Sequence, residues 1–87
     1  MQSVSGKDWH ACRIVITEHF MDRAIEYNFP DDILDEAVYE GRRRREGKEI
    51  NGVSYEVSFK DQSRGDEWNL EVVKGTWFVT LKTVERK

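Results

Sequence analysis

Apolar residues recur at two different spacings along the chain, and the spacing changes near Gly41. Before Gly41, apolar positions fall three or four residues apart, which predicts helices over residues 18–28 and 30–40. A short β-branched run comes before them and predicts a strand over residues 13–17. After Gly41, apolar and polar residues alternate, which is typical of strands that bury one face. The chain is therefore expected to begin as strand, helix, helix and to continue as strands.

Turn signals divide the second half of the chain into four strands. Asn51-Gly52 is the strongest hairpin signal, and Lys74-Gly75 marks another tight turn. Consecutive hairpins predict a four-stranded antiparallel meander, and two helices packed on one face of that sheet make an α+β fold. The predicted strands cover residues 43–50, 53–60, 67–73 and 76–84.

The apolar positions that are in phase within each element define the predicted core. Trp68 and Trp77 alternate in phase with aliphatic residues, so we expect both rings to be buried rather than to stack on nucleic-acid bases. Cys12 is expected to be a small buried residue. The predicted core comprises Ile14, Ile16, Phe20, Ala24, Ile33, Leu34, Ala37, Val38, Tyr55, Val57, Leu70, Val72 and Val79.

The length and composition fit one small domain, predicted over residues 9–87 after a flexible polar leader at residues 1–8. The single cysteine excludes an internal disulfide and, with only two histidines, leaves no structural zinc site. We therefore predict no metal and no cofactor. No apolar stretch is long enough for a secretion signal or a membrane span, so we expect no membrane partner and a cytoplasmic location.

Charge is unevenly distributed along the chain. The net charge is −3, whereas nucleic-acid-binding proteins are usually basic. Residues 41–64 nevertheless carry seven basic and four acidic side chains, so this segment could attract a polyanion. The alternative role for its arginine run is to complement the carbonyl end of the second helix. The candidate RNA or phosphate contacts are Arg42, Arg43, Arg44, Arg45, Lys60 and Arg64.

The start of the first predicted helix resembles that of a known family. Residues 17–23 (TEHFMDR) resemble the T-x-H-x-x-x-R opening of a small prokaryotic domain family of largely unknown, toxin-related function. Residues 78–81 (FVTL) are similar to its last strand. That family is similar to the RelE/ParE-type toxins and, more distantly, to the barnase-like ribonucleases. The resemblance covers about residues 13–84 and implies a RelE-like fold and a toxin-like endoribonuclease, although the second arginine common in relatives is missing at residues 24–28.

Metal-independent RNA cleavage needs a proton acceptor, a proton donor and cations that stabilise charge on the phosphate. His19 could transfer the proton, because histidine is the side chain most often used as a general acid or base, and Arg23, one helical turn later, could bind the phosphate. Thr80 and Lys82 share one face of the last predicted strand, so their hydroxyl and ammonium groups could contact the same phosphate. These four residues are the candidate catalytic residues, and the toxin-like function requires that they converge on one polar patch. We expect this convergence because the final strand can pair beside the first.

Each candidate also has a structural alternative. His19 could be satisfied by backbone at the helix start, and Arg23 could form an ion pair with Asp22 or Glu26. Thr80 and Lys82 could simply belong to a solvated strand face. Glu56 is a further candidate base, with a cross-strand ion pair as its alternative.

Two functions follow from these expectations. The first is a toxin-like, metal-independent endoribonuclease, with RNA as its substrate and an antitoxin-like protein as its partner. The alternative is a non-catalytic RelE-like binding module that contacts a protein or nucleic acid through residues 42–45 or through the second helix. That helix carries an acidic strip, which is usually a solvated face but would also receive a basic partner. The strip comprises Asp31, Asp32, Asp35, Glu36 and Glu40.

Overall fold

The computed structural model describes residues 9–87, in which two helices pack on one face of a five-stranded sheet. The predicted α+β class is thus confirmed, and the predicted leader at residues 1–8 lies outside the described residues. We call the sheet face toward the helices the inner face, and the opposite one the outer face. The elements are β1 (Arg13–Ile16), α1 (Glu18–Tyr27), α2 (Leu34–Glu40), β2 (Arg42–Glu49), β3 (Gly52–Asp61), β4 (Asp66–Lys74) and β5 (Phe78–Arg86), with short 3-10 turns at Trp9–Ala11 and Asp31–Ile33.

The sheet differs from the predicted four-stranded meander because β1 also belongs to it. The strand order is β1-β5-β4-β3-β2, and the pairs from β2 to β5 are antiparallel as predicted. β1 runs parallel to β5, with Ile14 opposite Val79 and Ile16 opposite Leu81. The sheet is therefore mixed. Among the described residues the sheet has two edge strands, the short β1 and the charged β2.

Capping explains where α1 begins and ends. The Thr17 side chain accepts a hydrogen bond from the Phe20 N–H at 3.1 Å, as expected of an N-cap, and donates its own hydroxyl to the Leu81 carbonyl at 2.7 Å. The second bond ties the start of α1 to β5. At the other end Asn28 adopts a left-handed conformation with φ 60°, and the Phe29 N–H bonds back to the Ala24 carbonyl at 2.8 Å. The helix thus ends before the proline at position 30.

The core fills the space between the inner sheet face and the helices, and most of the predicted core positions are in it. Trp68 is fully buried, and Cys12 is buried as expected. Ile16 is wrong as a core prediction because it lies on the edge strand β1 and is 44% exposed. Trp77 is also wrong: β5 begins only at Phe78, and the Trp77 ring is 58% exposed in the preceding turn. Ile14, Ala24, Leu34 and Tyr55 are partly buried against the core.

Candidate functional site

His19 and Arg23 lie one turn apart on α1, as the helical spacing predicts. His19 is exposed in the first turn of the helix. Arg23 is half-buried, with its guanidinium carbon 5.4 Å from the centre of the Tyr27 ring and Nη1 3.6 Å from Glu26 Oε1. Its Nε is buried without a hydrogen-bond partner among the described residues. Arg23 therefore forms the ion pair with Glu26 that was the structural alternative to phosphate binding. One of its N–H donors makes no hydrogen bond within the described residues.

Thr80 and Lys82 lie on the other side of the sheet from His19 and Arg23. Val79 and Leu81 are buried under the helices, so the alternation of β5 places Thr80 on the outer face. Thr80 and Lys82 both line a shallow depression on that face. The sheet itself separates them from α1. The structure thus keeps the candidate catalytic residues as two pairs and does not bring all four together.

The arginine run forms the first half of β2, and this splits it between the two sheet faces. Arg42 and Arg44 stand opposite Ser58 and Glu56 of β3, on the outer face. Arg43 and Arg45 stand opposite Val57 and Tyr55, which face the helices. The residues share a strand edge but present two separate pairs of cations. They do not form the single basic surface that four consecutive arginines suggest.

Two of these arginines are already bound within the protein. Arg43 lies over the Trp9 ring with its guanidinium carbon 4.0 Å from the ring centre, and its Nη2 donates to the Tyr39 carbonyl at 2.7 Å. Arg44 donates to Glu56 at 2.7 Å and to Glu46 at 3.1 Å. Glu56 thus forms the cross-strand ion pair that was the structural alternative to a role as catalytic base. Arg42 and Arg45 are exposed.

Lys60 and Arg64 lie near the far end of β3. Lys60 is exposed and stands opposite Glu67 of β4. Arg64 donates to Asp61 Oδ2 at 2.9 Å and to Asp32 Oδ2 at 3.2 Å. These bonds hold the pKa of Asp61 below its ordinary value and raise the pKa of Arg64. Arg64 is thus a structural residue that joins this turn to the helix layer.

An acidic depression in the centre of the outer face was not among the predicted sites. It has a volume of about 220 Å³ and contains only one basic side chain, that of Arg44. The signal in the sequence is the alternation of polar residues on β4 and β5, which by itself indicates only a solvated face. The residues that line it are Arg44, Glu46, Glu56, Asn69, Leu70, Glu71, Thr83 and Glu85.

Glu71 and Glu85 are the least compensated carboxylates of this depression. Arg44 binds Glu46 and Glu56, whereas Glu71 and Glu85 make no ion pair within residues 9–87. Glu71 lies on β4 opposite Thr83, a neutral partner. The centre of the outer face therefore carries negative charge that the described part of the protein does not neutralise. Such a surface disfavours phosphate groups and attracts cationic side chains.

Comparisons with known proteins do not assign a function to these surfaces. Comparison of the chain with family models, with curated proteins and with solved structures gave no match. Within residues 9–87, no group of three or more His, Cys, Asp or Glu side chains is placed to hold a metal ion. In the same residues, no helix has both the length and the apolar character that crossing a bilayer requires.

Proposed function

We propose that the protein is a non-catalytic binding module, and that it binds a basic segment of another protein on the outer face of its sheet. The observation that carries this proposal is the acidic depression between β2 and β5, where four glutamates surround one arginine. No described element covers this face, because both helices pack on the other side. The face is therefore accessible to a partner.

Charge and shape together favour a cationic ligand. Glu71 and Glu85 have carboxylates without an ion pair in the described part of the chain, so lysine or arginine side chains of a partner could pair with them at little cost to existing bonds. Ser58 donates to Asn69 Oδ1 at 2.9 Å, which fixes the amide beside these carboxylates. Complementary charge of this kind speeds encounter and selects partners more than it adds affinity.

A nucleic-acid partner fits this surface less well. Neutralisation of phosphates by clustered lysine and arginine residues supplies most non-specific nucleic-acid affinity. Here the arginines of β2 are divided between two faces, and Arg43 and Arg44 are engaged within the protein. The carboxylates at the centre of the outer face would repel a phosphate backbone.

Binding of a lysine-rich peptide, measured by titration calorimetry, tests the proposal. The double variant Glu71→Gln/Glu85→Gln should weaken binding by about fivefold or more, as expected for the loss of two exposed ion pairs. The matched control is Asp35→Asn/Glu36→Gln, which removes the same charge from α2. The control should bind like the wild type. Equal loss in both variants would show that only net charge acts, and loss only in the α2 variant would place the partner on the acidic helix.

A second candidate is the RelE-like, toxin-like ribonuclease, acting in the cytoplasm and held by an antitoxin-like partner. The exposed His19 beside the partly unpaired Arg23 favours it. Because Thr80 and Lys82 lie on the other sheet face, this proposal now rests on the helix pair alone. An RNA-cleavage assay decides it: His19→Ala and Arg23→Ala should abolish cleavage, and Thr80→Val should not. Absence of metal-independent cleavage by the wild type would remove this candidate.

A further inference from the structure

We propose that β1 pairs with β1 of a second copy of this chain, so that one continuous sheet runs through a symmetric dimer. The occupant of the β1 edge is thus a second copy rather than a peptide of another protein. This inference goes beyond the binding function proposed above, because β1 contributes no residue to the acidic depression. The two proposals are therefore independent, and a result that contradicts one does not contradict the other.

Within residues 9–87, the backbone of β1 has one hydrogen-bonding edge that no other strand occupies. β1 is the last strand in the sheet order, and only β5 pairs with it among the described elements. The N–H groups of Arg13 and Thr17 point toward β5, where they donate to the carbonyls of Trp77 at 2.9 Å and Leu81 at 3.4 Å. Since the direction alternates along a strand, the N–H and C=O groups of Ile14 and Ile16 point to the open edge. Such an edge is a template for another strand.

Apolar side chains are exposed on both sides of this edge. Val15 and Phe78 are exposed on the outer face, and Ile16 is exposed toward the helix side. On α1, Met21 and Ile25 lie four residues apart on one helix face, and the Ile25 side chain is 72% exposed. A strand added beside β1 would remove part of the exposed Val15 and Ile16 surface from water, which favours association.

The opposite edge strand, β2, has features that prevent it from pairing with another chain, and β1 lacks these features. β2 has the sequence RRRREGKE and a register shift between Arg45 and Gly47. Charged side chains and bulges are the devices by which edge strands avoid pairing with other chains. The contrast between the two edges indicates that β1 is the edge available for association.

The sequence of β1 is complementary to itself in one antiparallel register. A two-fold axis through Val15, perpendicular to the sheet, places Val15 opposite Val15 of the second copy and Ile14 opposite Ile16 of the second copy. The isoleucines are the residues whose N–H and C=O groups point outward, so each such pair exchanges two backbone hydrogen bonds. Val15 occupies the non-hydrogen-bonded position, where side chains are closest.

Charge also fits the second copy. In this register Arg13 stands opposite Thr17 of the second copy and next to its Glu18, so no like charges face each other. Apolar residues meet apolar residues, because the axis keeps the inner and outer faces on the same side in both copies. A second copy of β1 can therefore form hydrogen bonds with the free backbone groups of β1, and no strand of a different sequence is required.

Disulfide trapping provides the sharpest test of the axis. In a non-hydrogen-bonded antiparallel pair the Cα atoms lie about 4.5 Å apart, a separation that a disulfide can span. Val15→Cys should therefore cross-link two copies under mild oxidation. Ile50→Cys is the control: its side chain is 96% exposed at the β2–β3 turn, and it should stay uncross-linked at the same protein concentration. The native Cys12 is buried and should not react.

The solution mass of the wild type, measured by sedimentation over a range of micromolar concentrations, completes the test. We expect a dimer whose dissociation constant rises about tenfold or more in Val15→Lys, while Ile50→Lys has no effect; circular dichroism confirms that both variants fold. The proposal is overturned if the wild type is monomeric. It is also overturned if the wild type is a dimer that persists in Val15→Lys and that Val15→Cys fails to cross-link. The proposal is also overturned if only a variant lacking residues 2–8 dimerises, because the full chain would then be monomeric.

Discussion

The guanidinium of Arg43 lies over the ring of Trp9, with its central carbon 4.0 Å from the ring centre. The same side chain donates to the Tyr39 carbonyl at the end of α2, and the Tyr39 hydroxyl donates to the Cys12 carbonyl at 3.1 Å. These contacts connect the edge strand β2, the second helix and the segment before β1. The second residue of the arginine run thus joins three parts of the fold that are distant in sequence.

Arg43→Ala should therefore destabilise the protein, whereas Arg45→Ala should not. The loss of a cation–π contact and of a charge-assisted hydrogen bond predicts a decrease of about 1–2 kcal/mol in the free energy of unfolding. Arg45 is the matched control because it lies on the same strand and face and is exposed. Urea denaturation of both variants measures the difference. Equal midpoints would show that the Arg43 contacts contribute nothing to stability.

Local pattern predicted the antiparallel part of the sheet but not its parallel edge. Alternation along β3 and β4 predicted that Val57 and Leu70 lie in the core, and the structure confirms that both are buried. The structure also places them opposite each other. The parallel pairing of β1 with β5 joins residues more than sixty positions apart, and no local signal specifies it. The strand predicted over residues 43–50 is present as β2, but the face that each arginine takes could not be predicted, because four identical charges contain no alternation.

The candidate site shows the same division between local and long-range information. The helical spacing of His19 and Arg23 was predictable, because α1 is a regular helix. The separation of Thr80 from them could also have been foreseen, since the neighbouring Val79 was predicted to lie in the core, and it is buried. The acidic depression depends on strand order and register, so Glu71 and Glu85 could not be placed together from sequence alone.

Leu70 tests the packing of the core. Its side chain is fully buried between the inner sheet face and the helices, so Leu70→Ala should lower the free energy of unfolding by about 2–5 kcal/mol. That is a large share of the stability of a domain of this size. Ile50→Ala, at an exposed turn, should leave stability within about 0.5 kcal/mol of the wild type. An unchanged denaturation midpoint for Leu70→Ala would contradict the phase of β4.

The free energy of unfolding should depend on pH because of the carboxylate of Asp61. The hydrogen bond from Arg64 lowers its pKa in the folded state, so its stabilising effect is complete above the ordinary aspartate pKa of about 3.9. The effect is lost as the pH falls from there through the lowered pKa of the folded state. Asp61→Asn should thus be less stable than the wild type at pH 7, and the difference should shrink below pH of about 4.

Acid and urea denaturation at several pH values measure this dependence. The amide oxygen introduced by Asp61→Asn would still accept the N–H groups of Ser63 and Arg64, so the substitution removes mainly the ion pair. Asp31→Asn, at an exposed carboxylate of the turn before α2, is the control and should not change the pH profile. A difference between wild type and Asp61→Asn that stays constant from pH 7 to pH 2 would contradict the role of Arg64.

Gly52 should be the least replaceable residue of the β2–β3 hairpin. Its φ is 151°, which disfavours any residue with a side chain, and a Cβ atom there would overlap the carbonyl oxygen of Lys74 and lie 2.7 Å from its carbonyl carbon. Because both neighbours are backbone of the adjacent strand, they cannot move aside independently. Gly52→Ala should lower the free energy of unfolding by about 1–3 kcal/mol.

Gly47 provides a matched control on the same hairpin. A Cβ atom at this position would meet nothing within 4 Å, so Gly47→Ala adds no clash. The substitution also reduces the freedom of the unfolded chain, which predicts a stability equal to the wild type or higher by up to about 1 kcal/mol. Thermal and urea denaturation of the two variants give the comparison. Equal destabilisation by both would mean that the β2–β3 turn does not approach Lys74 as closely as described, and the register of β3 against β4 would then have to be revised.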